Sequence, residues 1–468
     1  MIRNSKRLTS SLVLLVLCIS LILPTLSSCQ IFNYIIPSII PTPEEIGTRD
    51  EIVQSIEDAQ ADGAARYNTV DKYLRAFGMP SYDRAKFEYM EYCFNQLFNL
   101  EGGLPDVLTH ATETAKLFLE YYYDTIDHSD KTVVTDSLLY CYVAAIGDPY
   151  SVYRPPVEAD EFSTEMSGKF GGIGVMVEYN HNDETIMVNT VYPESPAEAA
   201  GLKVGDFIYA INGVTVEEIG YLNAVYHIRG EIGTEVEITV IRGAEFVTVT
   251  ATRAEVEEIN VDYEFDEETK LAHITIVSFK GNTYDQFKEA VDEVMAKGAL
   301  GIVLDLRNNT GGYVQSACDM LSYILPTGLD LVSYQYKGNK AVTLKSENDG
   351  EDGYDHVIDV PITILCNEYS ASSSEIFISA LRDHRDAGLI DATIVGTKTF
   401  GKGIMQGTYG YYPDNSTVTI TVSYLYPPCG IRYHGIGILP EVIVELGEKY
   451  DNQLEAAYGE LLKLINNK

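Results

Sequence analysis

The sequence predicts a multidomain α+β protein: an N-terminal helical region, a small β domain and a mixed α/β core. Three observations predict it. Between residues 69 and 146 apolar side chains recur at helical spacing, as at Phe87, Met90, Phe94 and Leu97. From Gly168 the texture changes to short β-type runs broken by glycine-rich turns. From about residue 256 apolar strands alternate with amphipathic helices, the order that builds crossover units and a parallel sheet.

The chain begins with a targeting segment. Arg3, Lys6 and Arg7 precede the apolar run "LVLLVLCISLILPTL", which small residues follow. A transmembrane anchor is the competing reading, but the run is short and Pro24 interrupts it. It ends in Leu26-Ser27-Ser28-Cys29, which resembles a bacterial lipobox. That resemblance implies a lipoprotein signal peptide over 1–28, acylation of the Cys29 thiol, and an extracytoplasmic body anchored to the bacterial cell membrane. Residues 29–68 hold three early prolines and then turn acidic, and they read as a tether. Export permits disulfides. Of seven cysteines, Cys18 leaves with the signal and Cys29 carries the lipid. Cys93, Cys141, Cys318, Cys366 and Cys429 remain, an odd set without a close pair, so buried free thiols are expected and no metal-ligand set is visible.

Across 468 residues the net charge is −36, which argues against nucleic acid or an anionic membrane surface as the main partner. The helical region, 69–160, packs on itself or on a second copy, alternatives the sequence leaves open. In the β domain, 165–255, "FGGIGVMVEY" and "ETIMVNTVY" read as strands and "SPAEAAGL" as a short helix. "VGDFIYAINGV" reads as a strand with an Asn212-Gly213 turn, "YLNAVYHIRG" as a helix, and "EVEITVIRGAEFVTVTATR" as a hairpin. In the core, 256–468, "LAHITIVSF" and "LGIVLDL" are strands, while "TYDQFKEAVDEVMAKG" and "YVQSACDMLSYIL" are helices. The acidic "KSENDGEDGYDH" reads as a solvated loop.

The stretch "NEYSASSSEIF" follows the buried strand "VPITILC" and precedes a helical face of Ile376, Phe377, Ala380 and Leu381. A serine on a tight strand-to-helix turn is exposed beside helix N-terminal amides, which suits a nucleophile. Taken alone, Ser372 and Glu375 are spaced as a capping box.

Further motifs change that balance. "DPYSVY", "GKFGGIGV", "SPAEAAGLKVGDFIYAINGV", "IRGEIGTEVEITVIR", "LDLRNNTGG", "NEYSASSSEIF", "GTKTFGKGIMQ" and "GIGILPEV" resemble, in order, the carboxyl-terminal processing proteases. These are tail-specific serine peptidases that carry a PDZ domain, and the likeness runs from about residue 147 to 445. It implies a PDZ-like β domain and a mixed α/β serine peptidase core. The helical region occupies the place of the family's dimerisation region, which implies a homodimer. An activating partner and the substrate's identity stay open.

Carried over by motif, the resemblance makes Ser372 the nucleophile, Lys402 of "FGKG" the general base and Gln406 the residue that positions it. Asp383 matches an acidic position of some members and ranks below Gln406. Gly311 or Gly312, with the amide of Ser373, would form the oxyanion hole. Phe170, Gly171, Gly172, Ile173 and Gly174 match the carboxylate-binding loop, and Arg229 matches, more weakly, an arginine that couples the PDZ domain to the active site. No metal or cofactor is implied. Two departures stand out: Thr310 replaces a common proline, and the segment from Ser372 to Lys402 is longer than usual, with the excess in "RDAGLIDAT". A surface loop absorbs such an excess at small entropic cost.

The chemistry is consistent with those roles. A serine hydroxyl needs an adjacent base. A lysine serves only as the neutral amine, and burial disfavours the ammonium. "TKTFGKGIM" gives Lys402 an apolar, glycine-rich setting, whereas Lys398 sits among polar residues. Among eight histidines, His273, His384 and His434 are the competitors for a Ser-His-Asp site; His384 adjoins Asp383, but adjacent helical residues do not face each other. The expectation is a serine endopeptidase that selects unstructured protein or peptide C-termini. Two alternatives are a catalytically silent PDZ scaffold of the envelope and a different hydrolase on the same core.

Overall fold

A computed structural model describes residues 47–63, 65–180, 185–347, 358–447 and 449–467. The signal segment, Cys29, the first part of the tether and most of the acidic loop lie outside the described residues. The chain divides into two compact units. One comprises 161–260 and 280–286; the other takes the chain on either side together with 261–279. The helical region and the α/β core, separate in the sequence reading, thus belong to one unit.

In that larger unit the helices begin earlier than the periodicity suggests. Arg49–Asp62, within the tether range, is a helix started by a Thr48–Glu51 capping box, and it buries Ile52 and Ile56. Four more follow: Val70–Ala76, Arg84–Leu97, Val107–Tyr121 and Lys131–Ala144. Phe87 and Phe94 meet the buried Tyr142 edge-on at 5.4 and 5.6 Å. The region packs on itself and on the chain's own sheet. Val152–Arg154 pairs antiparallel with Ser416–Tyr426, and buried Lys86 bridges Asp136 at 2.9 Å and Asp414 at 2.7 Å.

Two sheets form the core. Ile404–Tyr411 and Ser416–Tyr426 make a long hairpin, flanked by Val152–Arg154 and by Asp330–Tyr334 with Val342–Lys345. In the second sheet Val261–Asp266 runs antiparallel to Leu271–Ile276. Gly301–Asp305, Ile362–Cys366, Ala392–Gly396 and Val442–Ile443 then continue in parallel. The central strands Gly301–Asp305 and Ile362–Cys366 are buried at every position, as parallel strands covered on both faces are. They are neighbours, so the loops at their carboxyl ends emerge side by side, where open α/β sheets place their sites. Residues of the long insertion after Asp386 make a short turn into Ala392–Gly396.

The smaller unit is a β domain. Its main sheet runs Val175–Asn180, Thr185–Val191, Phe207–Ile211, Glu235–Arg242, Glu245–Thr252, with Val175–Asn180 at one edge. Ile186, Val188, Ile208, Val236, Ile238 and Val240 face its core. Asn212 and Gly213 both take positive φ, as the turn they were read as requires. The four cysteines 93, 141, 318 and 366 are buried free thiols; Cys429, expected to join them, is exposed.

Candidate active site

Ser372 ends the loop after the buried strand Ile362–Cys366 and caps the helix Ser373–Asp386. Its backbone sits at φ 56 and ψ −114, a region a residue with a Cβ enters under strain. Other serines of the run hold the turn. Ser370 Oγ donates to the Leu306 carbonyl at 2.7 Å, Ser373 Oγ to that of Gly312 at 2.8 Å, and Ser374 Oγ to that of Asn309 at 2.8 Å. The Ser372 turn is thereby sewn to "LRNNTGG".

Glu375 does more than cap. Its carboxylate is wholly buried and receives four donors. Oε2 accepts the amides of Ser372 at 3.0 Å and Lys402 at 2.7 Å; Oε1 accepts the Gly401 amide at 2.7 Å and the Thr399 hydroxyl at 2.6 Å. One oxygen therefore holds the backbones of Ser372 and Lys402 within two hydrogen-bond lengths of each other. Burial pushes the Glu375 carboxyl up, against these four bonds. Sequence spacing revealed the Ser372 half of this arrangement. The Lys402 half joins residues distant in the chain and had no local signal.

Lys402 is 1 % exposed, in a loop braced by "GIGILPEV": the Gly435 amide donates to the Gly401 carbonyl at 2.8 Å, and that of Thr399 to Ile438 at 3.0 Å. Its Nζ lies 4.8 Å from the centre of the Tyr150 ring. Gln406, 2 % exposed, sits on Ile404–Tyr411 at a bulge and pairs in register with Thr421. Asp383 stands apart. It lies eleven positions along the helix from Ser372, about 16 Å at the helical rise, and its carboxylate accepts from Arg382 and from the Cys429 amide at 2.9 Å.

The two glycines of the oxyanion expectation differ. The Gly311 amide already donates to Asn309 Oδ1 at 2.8 Å. A Cβ on Gly311, at φ 104, would come within 2.7 to 2.9 Å of Ala371 O, Ser372 Cβ and Ser373 N, so its backbone lies directly against the Ser372 turn. Gly312 bridges Phe279 through its neighbours, and its own carbonyl faces Ser373. Neither the Gly312 nor the Ser373 amide donates a hydrogen bond within the described residues.

Of the histidines, His384 Nε2 contacts the Asp330 carbonyl at 2.9 Å and His273 Nε2 contacts Asp305 Oδ2 at 3.3 Å. His434 does reach the neighbourhood. It lines a pocket of about 510 Å³ with Phe98, Asp148, Tyr150, Phe400 and Ile404. Burial, then the charges of Arg432 and Lys402, push its imidazole below the ordinary value, against Asp148 and Glu101. Among the described residues no cluster of three His, Cys, Asp or Glu side chains is placed to hold a metal.

In the β domain, Lys169–Gly172 pairs with Ala254–Glu257 and leads through Ile173 and Gly174 into the edge strand Val175–Asn180. A Cβ on Gly171 would meet the Gly230 carbonyl at 2.1 Å, so only glycine lets these backbones touch. The Arg229 guanidinium lies 4.2 Å from the centre of the Phe170 ring. At the start of the helix Tyr221–Ile228, Tyr221 stacks on Tyr179 of the edge strand at 4.6 Å between ring centres.

The chain is thus a crossover core, with a strained serine whose backbone is tied through Glu375 to that of a buried lysine, and a separate β domain with Val175–Asn180 at the edge of its described sheet. Residues 270–444 match peptidase family S41 and residues 171–252 match the PDZ domain. The chain thus carries a segment similar to the S41 peptidases, preceded by a segment similar to PDZ domains. A "Probable CtpA-like serine protease" of Staphylococcus haemolyticus is 32 % identical over 328 residues, 69 % of this chain and 63 % of the relative. One of the same description from Staphylococcus aureus strain N315 is 35 % identical over 303 residues, 65 % of this chain and 58 % of the relative. The chain thus spans about three fifths of each relative's length. A solved structure described as an S41 protease of Bacteroides fragilis aligns over 81 % of this chain and 97 % of its own, at 17 % identity and a TM-score of 0.51, and it shares the fold.

Proposed function

We propose that the chain is an exported, lipid-anchored serine endopeptidase. It recognises protein C-termini through its PDZ domain and cleaves through an acyl-enzyme on Ser372, with Lys402 as general base. The observation that carries this reading is the single Glu375 oxygen holding the amides of Ser372 and Lys402.

Lys402, as the amine, takes the Ser372 hydroxyl proton while Oγ attacks the scissile carbonyl. The oxyanion forms against the Gly312 and Ser373 amides, oriented before the reaction begins. The lysine ammonium then protonates the leaving amine, and water, deprotonated by the same lysine, releases the acyl group. Gln406 holds the lysine. The position of Val175–Asn180 at the edge of the described sheet, following the glycine loop 171–174, supports strand addition by a substrate tail whose carboxylate ends at that loop. The Leu26–Cys29 sequence supports the lipid anchor.

The test is cleavage of an unfolded protein with an apolar C-terminus by residues 30–468, comparing wild type with Lys402→Ala. Loss of cleavage in the variant, with an unchanged circular dichroism spectrum, is the expected result. Equal cleavage by both removes Lys402 as base.

A further inference from the structure

The proposed reaction uses no residue of "DPYSVY", yet this turn reaches the site. The strand Val152–Arg154 pairs with Ser416–Tyr426, and Val152 stands opposite Thr419. That register carries the preceding turn past Thr421. Asp148, 8 % exposed, turns inward there. Its Oδ2 accepts the hydroxyls of Ser151 and Thr421, each at 2.7 Å, and its Oδ1 accepts the Tyr150 amide at 3.1 Å.

The consequence follows from counting protons. A threonine hydroxyl has one to give. Thr421 gives it to Asp148, so its oxygen faces Gln406 as an acceptor only. Gln406 Nε2 accordingly points at Thr421 Oγ1, at 3.4 Å. With Nε2 so placed, the amide's carbonyl oxygen is turned away from Thr421. The ladder is bulged at this point: Met405 pairs with Ser423 and Gln406 with Thr421, leaving Val422 as the extra residue. Bulges of this kind re-aim a side chain beside an active site. On the same turn, Tyr150 lays its ring 4.8 Å from Lys402 Nζ.

We propose that Asp148 is a positioning residue for Lys402: it fixes the Thr421 hydroxyl, which orients the Gln406 amide so that its carbonyl oxygen is presented to the lysine. This rests on the reading of Lys402 as base.

The test measures kcat and KM on a peptide with an apolar C-terminus for wild type, Asp148→Ala, Thr421→Val, Thr421→Ser, the double variant Asp148→Ala/Thr421→Val and Lys402→Ala. Thr421→Val keeps the side chain's shape and removes the hydroxyl. The expected result is a fall in kcat of about tenfold with KM unchanged, for Asp148→Ala and Thr421→Val alike. Thr421→Ser restores kcat to within about twofold, and the double variant is no slower than the slower single one, as members of one chain require. Wild-type kcat in Thr421→Val, or a fall in kcat that serine does not rescue, overturns the proposal even if Asp148→Ala fails to fold. If Lys402→Ala is inactive while Thr421→Val cleaves as wild type, only the positioning chain falls. If Lys402→Ala cleaves as wild type, the base assignment falls as well.

Discussion

Ser372 carries a backbone conformation that only glycine adopts freely, and such strain at a side chain costs about 1–3 kcal/mol. The surrounding bonds of Ser370, Ser373, Ser374 and Glu375 impose it. Replacing an ordinary residue by glycine usually destabilises through the unfolded chain; here the sign should reverse. Ser372→Gly is expected to be about 1 kcal/mol more stable than Ser372→Ala by urea unfolding, and both to be inactive. Equal stability would mean the turn is unstrained. The spacing of Ser372 and Glu375 was legible in the sequence, and the resemblance pointed to Ser372 and Lys402 as a candidate pair. The reach of Glu375 to Gly401 and Lys402 was not, because it depends on where a later loop returns.

Among the elements, the joint between the strand Gly301–Asp305 and the helix Asn452–Asn466 is held by charge. Arg307 Nη2 bridges Asp305 at 2.6 Å and Asp451, the helix N-cap, at 2.8 Å. Burial raises the Asp305 carboxyl, but bonds from His273 and Arg307 outweigh it and leave the group below its ordinary value. Asp451 is lowered chiefly by its bond from Arg307. A carboxyl lowered on folding contributes stability that is complete above the unfolded value, about pH 4, and disappears as pH falls through the folded one. Arg307→Met is therefore expected to cost about 3 kcal/mol at pH 7 and to flatten the loss of stability on acidification below about pH 4. Urea midpoints across that range check both. Parallel strands and the helices between them could be read from apolar runs. The second strand of the hairpin Ile404–Tyr411 with Ser416–Tyr426 does carry a period-2 signal, Val418, Ile420 and Val422 alternating with Thr419, Thr421 and Ser423, but that pattern implies one solvated face, whereas the structure buries both.

For the whole molecule, a net charge of −36 disfavours an anionic membrane surface, so the proposed attachment rests on acylation of Cys29. Cys29→Ala is expected to move the protein from the membrane fraction to the soluble fraction of the producing cell, read by immunoblot. Retention in the membrane would favour an uncleaved apolar segment instead. The division into units was only partly legible. The change in texture near Gly168 marks the start of the β domain, but residues 280–286 join it from beyond its apparent end. Asn282 Nδ2 donates to the carbonyls of Gly168 and Glu258, at 3.3 and 2.9 Å. Such long-range bonds leave no trace in local composition.

By itself the sequence determined the order helical region, β domain, α/β core, and the buried parallel strands, and by resemblance it pointed to Ser372, Lys402 and Gln406 as candidates. Periodicity, turn residues and motifs are local properties that the chain states wherever it goes. The tertiary structure alone decided which groups meet: Glu375 with Lys402, Asp148 with Thr421, Asp383 with the Cys429 amide, and, among the described residues, an amide without a hydrogen bond at Gly312 rather than at Gly311. Each of these depends on register and loop return, which follow from packing the whole core at once.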